Sequence, residues 1–220
     1  VEEICKRGVK ETKVHYWPQY AEEFYRPLER KPTVEIPDED CFKIIFTGNI
    51  GYAQGLEILP RTAEILKHDN AKVKFYIVGD GRYTQELIKE IKQRNVEDMF
   101  QMIARQPAER IPELLAACDA AFISFKDEPL FYKTIPAKLQ SYMACGMPII
   151  ASASGETERI IKEAKNGWCC KIGNAIDLAN HIEKVLCINA KAKKVLQENS
   201  RNYFLEHFEK NIVMDQMEIK

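Results

Sequence analysis

Short apolar runs alternate with longer amphipathic stretches from residue 42 onward. The longer stretches repeat apolar residues every three or four positions, as at Leu56, Leu59 and Ala63, which is the spacing of a helix with one buried face. Alternating strands and helices are typical of a parallel sheet covered by helices. The pattern predicts an α/β fold, a Rossmann-like, doubly wound, parallel six-stranded sheet with strands at 42–48, 72–79, 99–104, 120–125, 147–152 and 167–172.

The chain divides into three predicted parts. Residues 1–35 are interrupted by Trp17-Pro18 and Arg26-Pro27, so we interpret them as a lead-in or linker segment. Residues 36–190 contain the sheet and its helices. Residues 191–220 are predicted to be C-terminal helices that follow the sheet.

Composition excludes several classes of function. The 32 basic and 33 acidic residues are interspersed and leave a net charge of −1, which argues against nucleic-acid binding and against a polybasic membrane patch. No apolar run approaches the ~20 residues of a membrane span. The seven cysteines lack the spacing of a zinc site, so we expect reduced core thiols in a cytoplasmic protein, and no metal. Any phosphate recognition must therefore be local.

The loop after the first strand, "TGNIGYAQG", is a candidate phosphate site. In a doubly wound sheet the ligand lies beyond the carboxyl ends of the strands. Gly48, Asn49 and Gly51 would let backbone N–H groups approach a ligand there. The alternative is a tight turn that requires a positive φ, and the spacing alone does not decide between the two.

The loops after the second and third strands are weaker candidates. Gly79 and Gly81 stand between a strand and a helix, where they would contact a ligand or, alternatively, leave Asp80 to cap the helix. Arg105 follows the end of the third strand. An isolated arginine at such a place is also typical of a solvated surface position.

The stretch "KTIPAKLQSYMACG" begins a helix with a cation in its first turn. Lys138 adds to the positive end of the helix dipole, which costs stability unless an anion is present. Lys133 and Thr134 precede it, and Pro136 begins the helix. These residues are predicted to converge on a diphosphate, with a solvated lysine pair as the alternative.

Six motifs in a fixed order resemble the C-terminal, donor-binding domain of family 4 (group 1) glycosyltransferases of the GT-B fold. The resemblance covers about residues 1–190, and its "TIPAK…YMACG" form is similar to the bacterial surface-polysaccharide branch. The motifs are "FTGNIG…GLEIL", "FYIVGDG…L", "IPELLAACDAAFIS", "PAKLQSYMACGMPIIAS", "GETERII…NGW" and "AIDLANHIEKVL".

The resemblance implies a retaining hexosyltransferase that needs no metal or other cofactor. It implies a sugar donor linked to a nucleotide diphosphate, with UDP as the expected nucleotide, and a polysaccharide or lipid-linked acceptor. It further implies an amino-terminal domain, absent from this sequence, that binds the acceptor, so the chain alone is expected to be inactive. We expect the full-length protein in the cytoplasm, with peripheral association at the inner face of the membrane as an alternative.

The resemblance also assigns roles to individual residues. It implies that Gly48, Asn49 and Gly51 lie beneath the donor diphosphate, and that Ala104 and Arg105 lie near the base. Lys138 and the backbone of 134–136 would contact the diphosphate, and Ser141 would approach the ribose. The C-terminal helices, with Phe204 and Phe208 exposed, would pack back on the amino-terminal domain.

Several positions depart from the family pattern. Asn49 and Gln54 stand at or near the places of an arginine and a lysine that neutralise the diphosphate in many members. Lys133 and Ser141 replace two glutamates. These departures keep two alternatives open: a sugar-nucleotide epimerase of the same architecture, and a non-catalytic nucleotide-sugar-binding module that partners an active transferase.

Overall fold

A six-stranded parallel sheet forms the centre of the protein, as the sequence pattern predicts. The computed structural model describes residues 2–14 and 17–218; residues 1, 15, 16, 219 and 220, which belong to the predicted lead-in and C-terminal parts, lie outside the described residues. The strands are β1 Phe42–Thr47, β2 Val73–Val78, β3 Phe100–Ile103, β4 Ala120–Ser124, β5 Ile149–Ser152 and β6 Gly167–Cys170. Their order in the sheet is β3-β2-β1-β4-β5-β6, so the strand order reverses between β1 and β4.

Helices cover both faces of the sheet. They are α1 Glu2–Cys5, α2 Ile58–His68, α3 Thr84–Gln93, α4 Ile111–Ala116, α5 Pro129–Tyr132, α6 Ala137–Ala144, α7 Glu156–Ala164, α8 Ala175–Leu186, α9 Ala190–His207 and α10 Lys210–Glu218. One apolar cluster joins the sheet to α2, α3 and α8, and the other joins it to α4, α6, α7 and α9. None of the helices in the described part of the chain is long and apolar enough to cross a membrane.

The central strand β1 is buried on both faces. Ile45 belongs to one apolar cluster, while Ile44 and Phe46 belong to the other. Alternate side chains of a strand point to opposite faces, so a strand covered by helices on both sides is apolar throughout. This explains why the inner strands could be predicted from continuous apolar runs.

The hydroxyl of Tyr142 fills the point at which β1 and β4 separate. The pairing between these strands includes Ile44 and Ile45 and does not extend to Thr47. The Thr47 N–H instead donates to the Tyr142 hydroxyl at 2.8 Å, and the Thr47 hydroxyl lies 3.1 Å from the same oxygen. Tyr142 is fully buried. Helix α6 is therefore fixed over the carboxyl end of β1.

The expectation that Phe204 and Phe208 are exposed is wrong. Their side chains are 5% and 3% exposed, because α9 packs on the same face of the sheet as α6 and both rings join that apolar cluster. The C-terminal part is helical, as predicted, and its helices are separated at Phe208 and Glu209, since α9 ends at His207 and α10 begins at Lys210. A contact between the C-terminal helices and another domain stays a prediction, as do the three domain boundaries.

The lead-in segment packs against the domain. Ala21 is buried in the core, and Arg30 forms an ion pair with Asp119 at the amino end of β4. The Trp17 indole N–H donates to the Val213 carbonyl at 3.1 Å, which connects the segment to α10. These contacts bring residues of the lead-in close to the sheet.

All seven cysteines are free, as expected. Cys118, Cys145 and Cys170 are buried, whereas Cys187 is exposed. The expectation of core thiols therefore holds only for part of the set.

We predict that Tyr142→Phe lowers the free energy of unfolding by about 1–3 kcal/mol, because the buried Thr47 N–H loses its partner. Urea unfolding of the chain measures this change. Tyr132→Phe is the control, since that tyrosine is exposed and its hydroxyl bonds the side chain of Asp127 at the surface. Equal stabilities of Tyr142→Phe and the unsubstituted chain would contradict the role of this hydrogen bond.

Candidate functional site

A cleft of about 620 Å³ opens at the carboxyl edge of the sheet, beside the point where the strand order reverses. Ligands of doubly wound sheets bind at such a switch point. Six of the predicted site residues line it. The loops after β1, β2 and β3 and the start of α6 therefore surround one space. The lining residues are Tyr25, Thr47, Gly48, Asn49, Val78, Gly79, Asp80, Arg105, Gln106, Ala108, Ile111, Ala137, Lys138 and Ser141.

Glycines allow the first two loops to pack against each other. A Cβ on Gly79 would lie 1.9 Å from the Gly48 carbonyl oxygen, and a Cβ on Gly81 would lie 2.2 Å from that of Ile50. The φ of Gly79 is +144°, in the region that favours glycine. The close approach therefore explains both glycines, and of the two only Gly79 lines the cleft.

Asp80 does not cap helix α3, so that alternative is wrong. The residue at the N-cap of α3 is Tyr83, and no side chain caps that end. The Asp80 carbonyl instead accepts the Ile50 N–H at 2.7 Å. The carboxylate of Asp80 is exposed at the rim of the cleft.

Helix α6 directs its amino end toward the cleft. Pro136 is the N-cap residue, with extended backbone angles, and no side chain caps the first turn. The first turn contains no acidic residue. The free N–H groups and the positive end of the helix dipole are therefore available to an anion.

Lys138 lies in this first turn with neutral partners. Its ammonium donates to Gln54 Oε1 at 2.8 Å and lies 3.7 Å from the centroid of the Phe46 ring. Among the residues that the structure describes, no carboxylate pairs with it. Burial lowers the pKa of Lys138 to about 7. An anion in the cleft would offset this loss of solvation.

Arg105 and Gln106 occupy the far side of the cleft, after β3. Arg105 is exposed. The side chain of Gln106 accepts a hydrogen bond from Arg110 at 2.8 Å, and Arg110 also pairs with Glu35 at 2.9 Å. Gln106 is therefore held in one orientation by a charged neighbour.

Tyr25 is a cleft residue that the sequence patterns do not predict. It lines the cleft together with Ser141, and burial raises the pKa of Tyr25. Ser141 donates to the Ala137 carbonyl at 3.2 Å. Tyr25 belongs to the lead-in segment, where no periodicity marks it as part of a site.

Five of the predicted site residues do not line the cleft. Lys133 is exposed at the end of α5, and the Thr134 hydroxyl donates to the Leu130 carbonyl at 2.9 Å. Gly81 belongs to the loop packing, a Cβ on Gly51 would meet the Asn49 side chain of its own loop, and Pro136 is the N-cap residue of α6. Their contact with a ligand stays a prediction.

A second cavity, of about 560 Å³, lies at the opposite edge of the sheet, near the amino ends of β4 and β5. Two of its cations, Arg30 and Lys193, pair with Asp119. Lys194 pairs with Glu198 at 3.8 Å. The fourth cation, Arg201, donates to the Ala144 carbonyl at 2.6 Å. Because three of the four cations pair with carboxylates, the first cleft is the better candidate for an anionic ligand.

Metal ligands do not cluster in the described part of the chain. There, no three His, Cys, Asp or Glu side chains are placed to hold one ion. The expectation that function requires no metal stays a prediction.

Comparison with known proteins identifies the family. The family model for glycosyl transferases group 1 matches residues 29–203. The chain belongs to the group 1 glycosyl transferases. This group 1 chain is 29% identical over 224 residues to the probable glycosyltransferase WbjE of Pseudomonas aeruginosa. The match covers 94% of the chain and 54% of that relative.

Solved structures confirm the fold of this group 1 chain. HepE of Anabaena, in complex with UDP-glucose, superposes with a TM-score of 0.70 at 21% identity, over 82% of the chain and 48% of HepE. WaaG, a glycosyltransferase involved in lipopolysaccharide biosynthesis, superposes with a TM-score of 0.75 at 15% identity, over 96% of the chain and 57% of WaaG. The fold is the Rossmann-like C-terminal half of a GT-B glycosyltransferase. The chain spans about half the length of the relatives it matches.

We predict that Gly79→Ala destabilises the chain more than Gly173→Ala. Both glycines have positive φ, but a Cβ on Gly173 meets no atom within 4 Å, whereas one on Gly79 overlaps the Gly48 carbonyl. Gly173→Ala is expected to cost about 1–2 kcal/mol from backbone strain alone. Thermal unfolding measures both variants, and equal losses would show that the loop packing contributes little.

Proposed function

We propose that this chain is the donor-binding half of a retaining glycosyltransferase. Its donor is a sugar linked to a nucleotide diphosphate, and its acceptor is a polysaccharide or a lipid-linked saccharide. The observation that carries the proposal is the ammonium of Lys138, which stands at the positive end of α6 beside Gly48 and has neutral partners. A diphosphate supplies the anion that this arrangement lacks.

The same arrangement suits the chemistry of transfer. The bond between the anomeric carbon and the diphosphate oxygen breaks, the oxygen of an acceptor hydroxyl forms the new bond to that carbon, and the hydroxyl proton passes to the departing diphosphate. Negative charge develops on the departing diphosphate. Lys138 and the N–H groups of α6 stabilise this charge, so they lower the barrier more than they strengthen donor binding.

The identity of the nucleotide is proposed from similarity. HepE is described in complex with UDP-glucose, which supports UDP as the nucleotide of this chain. WaaG acts in lipopolysaccharide biosynthesis, which supports a surface saccharide as the acceptor. Arg105, Gln106 and Tyr25 line the remainder of the cleft, where we propose the nucleoside lies.

We predict that Lys138→Ala slows sugar transfer by the full-length protein roughly 10²-fold, the scale on which one preorganised donor contributes. Transfer of label from UDP-glucose and other UDP-sugars to a saccharide acceptor measures this rate. Lys162→Ala is the control, because that lysine is exposed on α7 and pairs with Glu158. Unchanged transfer in Lys138→Ala would contradict the proposal.

The unsubstituted protein distinguishes the alternative functions in the same assay. UDP binding without transfer to any acceptor would favour the non-catalytic module. Conversion of the UDP-sugar into its epimer without an acceptor would favour the epimerase. Either result would replace the proposed transferase activity.

We further predict that UDP affinity falls as pH rises above about 7. The free cleft has Lys138 with a pKa of about 7, and a bound diphosphate favours the ammonium and raises that pKa. At a pH between the pKa of Lys138 in the free cleft and its pKa in the complex, binding takes up a proton. In that range the affinity falls by up to about tenfold per pH unit.

Calorimetry at pH 8, in buffers that differ in ionisation enthalpy, counts the protons taken up with UDP. Tyr25, Asp80 and Arg105 also line the cleft, so Lys138→Met separates the contribution of the lysine. We expect close to one proton for the unsubstituted chain and a clear decrease for Lys138→Met. The same uptake in both proteins would exclude Lys138 as its source.

A further inference from the structure

Gln54 supplies the hydrogen-bond acceptor of Lys138, although it lies in a different loop. Its Oε1 accepts from the ammonium at 2.8 Å, and the other contact of that ammonium is the face of the Phe46 ring. An amide and an aromatic ring are both neutral. They hold the ammonium in one place without cancelling its charge.

The backbone of Gln54 is itself held firmly. Gln54 ends a 3₁₀ turn over Tyr52–Gln54, and its carbonyl accepts from the buried hydroxyl of Ser124 at 2.5 Å. The next residue, Gly55, has a φ of +59°, and a Cβ there would lie 2.9 Å from the backbone carbonyl of Phe125. The end of β4 therefore fixes the turn, which limits the positions that the Gln54 amide can reach.

We propose that Gln54 is a positioning residue that aims the Lys138 ammonium at the donor diphosphate and leaves its positive charge for that diphosphate. The proposal rests on the proposed function, because it takes the ligand of the cleft to be a nucleoside diphosphate. An ammonium has three N–H donors. Lys138 can therefore bond Gln54 and a phosphate oxygen at the same time.

The neutral amide is the feature on which this role depends. A lysine or arginine at position 54 would repel Lys138 at this distance, and a carboxylate would pair with it and neutralise it. The other titratable side chains that line the cleft are Tyr25 from the lead-in, Asp80 after β2 and Arg105 after β3. None of these three bonds the Lys138 ammonium in the described structure. A substitution of Gln54 should thus act on Lys138 directly.

Two substitutions test the proposal in opposite directions. Gln54→Glu adds a carboxylate beside the ammonium, so the pKa of Lys138 rises. Gln54→Met keeps the length of the side chain but removes the acceptor, so the pKa of Lys138 falls. Both variants should bind UDP about tenfold more weakly at pH 7. The glutamate competes with the diphosphate for Lys138, whereas the methionine no longer positions the lysine.

Two measurements on the 220-residue chain read these effects. NMR titration of the Lys138 side chain without ligand measures the pKa shifts, and calorimetry at pH 8 measures UDP affinity and proton uptake. We expect Gln54→Glu to abolish proton uptake, since its lysine is already charged. Gln101→Glu is the matched control, because Gln101 is exposed on β3 and receives the same change of charge away from the cleft.

The outcomes separate this role from a merely structural one and from the proposed function. Opposite shifts of the Lys138 titration, with weaker UDP binding in both variants, support the proposal. Normal UDP binding together with an unchanged Lys138 titration in both variants overturns the role of Gln54 alone. Absence of UDP binding to the unsubstituted chain overturns the proposed function. It also overturns the claim that Lys138 is positioned for a diphosphate, even if substitution of Gln54 still shifts the Lys138 titration.

Discussion

The hydrogen bond between the Tyr142 hydroxyl and the Thr47 N–H determines where the candidate site is formed. It lies at the point where β1 and β4 separate, and it is buried from solvent. Tyr142 and Lys138 are four positions apart on α6, so they share one face of the helix. Anchoring Tyr142 to the end of β1 therefore brings Lys138 beside Gly48, the next residue after Thr47.

The electrostatics of the cleft follow from that placement. The first turn of α6 adds the positive end of its dipole to the charge of Lys138, and burial makes that charge costly in the free protein. The partners of Lys138 are an amide and a ring, which keep the ammonium in place without neutralising it. A site of this kind is preorganised for an anion. The desolvation of the ammonium destabilises the free protein, and the bound anion offsets that desolvation.

Local sequence patterns predicted the sheet well because its four inner strands are buried on both faces and therefore form continuous apolar runs. They also directed attention to Lys138, which lines the cleft, because a cation in a first helical turn is unfavourable without a partner. They did not predict the burial of Phe204 and Phe208, since an apolar pair at helical spacing does not reveal which surface covers it. Tyr25 was missed for a different reason: it lies in a segment without periodicity and reaches the cleft only through tertiary packing. The contact between Gln54 and Lys138 also joins distant parts of the chain. The sequence shows that Gln54 stands near a position where many family members have a cation, but it does not show that its side chain binds Lys138.

The central claim is that Lys138 meets the diphosphate of a nucleotide in this cleft. The most direct measurement is a crystal structure of the complex with UDP, in which one distance decides the claim. The account predicts a diphosphate oxygen within about 2.7–2.9 Å of Lys138 Nζ, at the amino end of α6, with the bond to Gln54 retained. A diphosphate bound elsewhere, with Lys138 still in contact only with Gln54 and Phe46, would contradict it.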